Sequence, residues 1–149
     1  MDIIAAVISG VIVFMVGEFL RIKFVSPAQE YIQLKGRIAY ALIMHSPQIS
    51  YPLVGTSAGI ELDSYRDASH ALRTLASEVS GFAESRSKYQ PFVPSEDSLI
   101  KARKALTGLS NNVFAGNVED NSHAIEANVK RLSILIDVLD LRTIERREE

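Results

Sequence analysis

Cysteine and tryptophan are absent from this chain, and aromatic side chains make up only 7% of it. Without cysteine there is no disulfide framework, no thiolate zinc site and no thiol nucleophile. An excess of one charge is missing too. Sixteen basic against 18 acidic side chains give a formal net charge of −2, which excludes the strong basic balance of a general nucleic-acid binder. Period-two alternation never persists beyond a few residues, so no sheet is expected. The chain also lacks a Walker loop, a nucleophile elbow, a His-Glu-x-x-His pair and a dinucleotide fingerprint. At 149 residues without internal repeats, it is long enough for one core.

What is present is unevenly distributed. Residues 1–25 hold 18 apolar side chains, and the first twenty carry only two charges, Asp2 and Glu18. The other 129 residues hold 16 acids and 16 bases. Ile3 to Gly17 forms an uncharged run of fifteen, roughly 22 Å as a helix against a hydrocarbon core of about 30 Å. Extending it to Phe24 closes that gap if Glu18, Arg21 and Lys23 reach the interface. A signal peptide needs a basic n-region and a small-x-small cleavage site, and neither occurs. A core helix is not usually apolar on every face. The expectation is therefore a transmembrane anchor over residues 1–25. The basic residues that follow it, Arg21, Lys23, Lys35 and Arg37, place the N-terminus outside and the rest in the cytoplasm.

Ala6, Gly10 and Gly17 fall four and seven apart and line one stripe, with Ala5 and Ser9 as a second small pair. Such stripes let helices approach closely, although Gly and Ala are frequent in membrane helices anyway. Glu18 would recur as a carboxylate ring in an oligomer and line a cation-attracting opening. The simpler reading pairs it with Arg21, three residues on.

After the anchor the periodicity is helical. Ser26-Pro27-Ala28-Gln29 carries a helix-start signature, and helices are expected over about 27–45, 57–86, 95–115 and 118–141. Their apolar seams are Tyr31/Leu34/Ile38/Ala41/Leu42, Tyr65/Ala68/Leu72/Leu75/Val79/Phe82, Leu99/Ala102/Leu106/Leu109/Val113 and Ile125/Val129/Leu132/Ile136/Leu139. Ser46 to Thr56 reads as a loop, and residues 142–149 as a charged tail. The predicted fold is all-α: a transmembrane helix, then a four-helix cytoplasmic bundle over 26–141.

Candidate chemistry is sparse. Asp67/His70 and Asp120/His123 have the spacing of paired metal ligands, but both histidines fall about 200° from their helix seams, facing away from the core. Arg66 and His70 only loosely match the Arg-x4–6-His signature of HEPN ribonucleases. His45 reads as a packed histidine beside a loop. Lys101, Arg103 and Lys104 form a basic run of the kind that usually lies on a solvated face. No catalytic residue, metal or cofactor is implied.

Ala71-Leu72-Arg73-Thr74-Leu75-Ala76-Ser77-Glu78 and Lys104-Ala105-Leu106-Thr107-Gly108-Leu109-Ser110-Asn111 resemble segments, in the same order, of small uncharacterised bacterial inner-membrane proteins. The resemblance implies one N-terminal anchor and a short helical cytoplasmic domain, and it brings no activity. By architecture the chain is also similar to ancillary membrane proteins of phage-defence systems, some of which assemble into pores. The leading expectation is a non-enzymatic single-pass protein that self-assembles through its first helix as a pore or membrane-perturbing oligomer. Its partners would be the lipid bilayer and copies of itself. The alternative is a tethered adaptor whose bundle binds a protein; a helical nuclease or metal enzyme comes third.

Overall fold

The first helix, α1 (Asp2–Leu20), does not stop where its apolar run stops. It passes through a π-turn, Arg21–Val25, straight into α2 (Ser26–Met44). A computed structural model describes residues 2–54, 60–85, 90–115 and 118–141. Ser26 is not the N-cap its sequence context suggests. It has helical angles (φ −59°, ψ −48°), and its N–H bonds back to the Arg21 carbonyl. Pro27 explains the π-turn. It has no N–H to return to Lys23, and its ring crowds that carbonyl, so the ladder widens one turn earlier and the helix continues.

The remaining elements are α3 (Ser46–Ser50), β1 (Leu53–Val54), α4 (Ile60–Ser85), α5 (Glu96–Asn112), β2 (Phe114–Ala115) and α6 (Val118–Leu139). The protein is all-helical apart from one two-residue parallel pair, in which Leu53 sits opposite Phe114. That pair departs from the expectation of no sheet. It ties the end of α5 to the segment after α3, where Leu53 N–H donates to the Val113 carbonyl at 2.9 Å. Ser46–Ser50, expected as loop, forms a short helix instead. Gly116, Asn117 and residues 142–149 lie outside the described residues.

α2, α4, α5 and α6 share one core. Ala68, Leu72 and Val79 of α4 and Leu99, Ala102, Leu106 and Leu109 of α5 are completely buried, because their three-four spacing keeps them on one face. Full burial of each Val or Leu among them stabilises the fold by roughly 1.5–3 kcal/mol before entropy is counted. α5 starts on Ser95, whose hydroxyl accepts the Ser98 N–H at 3.2 Å, with Glu96 and Asp97 in its positive first turn.

α6 keeps part of its expected seam, since Leu139 is buried and Leu132 and Ile136 pack against the core, but Ala124, Asn128 and Leu135 also face inward while Val129 is 62% exposed. The buried Asn128 amide donates to the Ile49 carbonyl at 2.8 Å, so α6 docks on α3 through a polar residue that an apolar-periodicity argument leaves out. The helix ends in a Schellman turn. Asp140 takes a left-handed φ of 53°, Leu141 N–H bonds to the Ile136 carbonyl at 3.0 Å, and the Leu141 side chain is buried.

Phe92, in the Pro91–Pro94 connection, is the other left-handed residue, with φ 71° and an 84% exposed ring. Bulky side chains disfavour that region by roughly 1–2 kcal/mol. Phe92→Gly should therefore raise stability by about 0.5–1 kcal/mol after the entropy of glycine in the unfolded chain is deducted. Urea unfolding checks this; a lower midpoint would mean that the ring makes a stabilising contact.

Two expectations are corrected here. Among the described residues no helix is long and apolar enough to cross a membrane. The transmembrane anchor over 1–25 and the single-pass, N-outside placement in a bacterial inner membrane are thereby overturned. The uncharged run ends at Gly17, and the missing length would have to come from residues 18–24. Three of those seven residues, Glu18, Arg21 and Lys23, are charged, with Glu18 and Arg21 paired to each other, and the segment leads directly into a bundle helix. The positive-inside argument, which assumed a span, falls with it.

Candidate self-association surface

Every described side chain from Ile3 to Gly17 is exposed. Fourteen large apolar side chains between Ile3 and Val25 are open by 46% to 81%. A large aliphatic or Phe side chain is worth about 1.5–3 kcal/mol at about 25 cal/mol/Å², or roughly 60–120 Å² each, so the fourteen together present on the order of 800 Å². The largest apolar patch on an ordinary monomer is about 300–600 Å², and a stable interface covers about 800 Å² per partner. α1 has no polar face to leave in water. Gly10 and Gly17 have nothing within 4 Å of where a Cβ would stand, and Ala6 is exposed beside them.

Glu18 and Arg21, at the base of α1, neutralise each other. Arg21 forks onto Glu18 through two bonds of 2.6 and 3.0 Å. That hydrogen bond, with the guanidinium charge behind it, holds the Glu18 carboxyl below its usual range and the Arg21 pKa above its own. Lys23 Nζ lies over the Phe19 and Phe24 rings at 5.4 and 5.6 Å, a cation–π arrangement. Further on, Lys35 approaches Asp140 at 4.0 Å and Arg37 meets Glu78 at 2.8 Å. The four basic residues singled out in the sequence thus have local partners, and they do not gather into one cationic band.

The structure does not bring the candidate chemical residues together. Asp67, His70 and His123 are exposed, and no group of three or more metal-ligating side chains occurs among the described residues. The Asp120 side chain lies outside the described set. Arg66 pairs with Asp63 at 3.6 Å along its own helix. His45 closes α2 at its C-terminus, half-buried. Lys101, Arg103 and Lys104 are exposed, and Lys101 and Lys104 border an open groove with Arg131 and Asp137. Arg131 lies so closely across Gly108 that a Cβ there would collide with it.

No family model, curated protein or solved structure matches this chain. Function has to be argued from its own surface.

Apolar periodicity leaves out Asn128, which is polar in an inward position, and it marks Tyr31 only as a core residue. The Tyr31 hydroxyl also donates to the Leu139 carbonyl at 3.2 Å and thereby ties α2 to the end of α6. Burial, with the Asp140 charge nearby, pushes the Tyr31 phenol up to about 12 from an ordinary 10. The folded state then keeps a proton that the unfolded chain releases above pH 10. This stabilisation is complete below pH 10 and is lost as pH rises through about 12. Tyr31→Phe should remove that part of the alkaline loss, so melting temperatures of the two proteins should converge between pH 10 and 12. Parallel curves would show that Tyr31 does not titrate with unfolding.

Proposed function

We propose that this chain is a non-enzymatic self-assembling protein. Copies associate through α1, and the bundle of α2–α6 is carried outside the assembly as its recognition domain. The observation behind this reading is the area of α1. A helix apolar all round is ordinarily a buried one, and among the described residues nothing buries it. Copies of the same helix supply a matched surface, with small residues at Ala6, Gly10 and Gly17 where backbones can come close.

Native mass spectrometry and sedimentation of the full chain in detergent-free buffer, over a concentration series, test the proposal. A discrete oligomer whose population grows with concentration is expected. A monomer throughout overturns it, as does a monomer that partitions into phosphatidylcholine vesicles without associating, since lipid would then be the cover.

A further inference from the structure

We infer that self-association does not end with α1: a second copy of this chain lies, parallel and in register, along the outer face of α2. The inference rests on the assembly reading above and names the partner's course beyond it.

α2 has two apolar faces. Its core face carries Leu34, Ile38, Ala41 and Leu42. From Ile32, at 100° per residue, these lie about 180–280° round the helix, whereas Gly36, Tyr40 and Ile43 lie only about 20–80° round. Ile32, Tyr40 and Ile43 are open by 65%, 68% and 49%, and no described residue covers them. Exposed Gln29, at about 60° on the same face, separates this stripe from the exposed Val25 and Ile22 of the π-turn, through which the helix runs on from α1. At its far end Ile43 borders a shallow apolar groove with Leu132 and Ile136 of α6.

Gly36 points the same way. Glycine inside a helix is less favourable than alanine by roughly 0.5–1 kcal/mol, and it is kept where another backbone comes close. A Cβ at Gly36 would meet nothing within 4 Å, so no described residue uses the space. A helix lying on the outer face would use it.

Orientation follows from the bundle and the charges. The core is on the opposite side of α2, so two copies joined along their outer faces carry their bundles outward without collision. In a parallel pair α1 meets α1, its only equally apolar surface, and α2 stripe meets α2 stripe. At the junction Glu18 and Arg21 of each copy cancel, which leaves Lys23, held over its own Phe rings, as the one net charge there.

The chain has no cysteine, so single cysteines can be placed without background. Ile32→Cys, Gly36→Cys and Ile43→Cys should each give covalent homodimers in the majority of chains under mild oxidation. Thr74→Cys, exposed on α4, should give at least tenfold less. If linkage at Ile32 and Ile43 appears only when those two variants are mixed, the copies are antiparallel and the parallel proposal is lost. If none of the three links, while Ile3→Cys, Ala6→Cys or Val13→Cys does, the outer face of α2 is free and only the α1 assembly stands. A wild-type chain that is monomeric by sedimentation removes both readings.

Discussion

Ile3→Glu combined with Val13→Glu, beside the Ala6/Gly10/Gly17 stripe, should reduce the assembly to monomers at every accessible concentration, with the bundle intact. Both side chains are well exposed in the single chain, at 81% and 68%. In the monomer a carboxylate there sits in water and costs little, and glutamate is at least as good a helix former as isoleucine or valine. In the assembly the same carboxylates face apolar side chains of a neighbouring α1 with no partner. Burying an unpaired charge costs several kcal/mol, and each 1.4 kcal/mol weakens association tenfold. A loss of at least about a thousandfold in affinity is therefore expected from the pair. The melting temperature of the bundle, followed at concentrations where the wild type is also dissociated, should not move, because the core draws no side chain from α1. An oligomer of unchanged mass in the double variant would show that α1 is not the contact.

The second large effect distinguishes two faces of α6. Leu135→Ala should destabilise the bundle by roughly 3–5 kcal/mol, while Val129→Ala should change stability by less than about 0.5 kcal/mol. Leu135 is fully buried and Val129 is 62% exposed. Truncating Leu135 removes its transfer free energy and leaves a cavity among rigid helices that cannot close over it. Truncating Val129 removes surface already in water. Urea unfolding of both variants measures the difference. Equal costs at the two positions would place α6 in the orientation its apolar spacing suggests, with Asn128 facing solvent.

α4 and α5 show why part of this architecture can be read directly from residues. Their apolar side chains recur at three and four, and nothing polar competes for the inner face, so burial alone sets their rotation. Ser95 with Glu96 and Asp97 marks a helix start because its hydroxyl meets an otherwise unpaired N–H of the first turn. α6 fails the same reasoning because its inner face includes Asn128. One hydrogen bond to the Ile49 carbonyl, the carbonyl of a residue 79 positions away, outweighs the apolar choice of Val129. The first helix fails differently. Fifteen uncharged residues read as a span until the residues beyond them are placed, and those residues turn out to be a salt-bridged π-turn feeding α2.

Composition and periodicity alone settle that this protein is helical and that its N-terminal run is apolar on all sides. They also separate that run from a charge-balanced remainder, since these properties depend only on which side chains neighbour one another along a helix. Tertiary structure decides the rest: that Pro27 is absorbed by a π-turn, that α6 faces inward through Asn128, that α2 keeps a second apolar face, and which of the basic residues are already paired. Each of these depends on contacts between residues far apart in the chain or on how a local defect is accommodated. Neither leaves a period in the sequence.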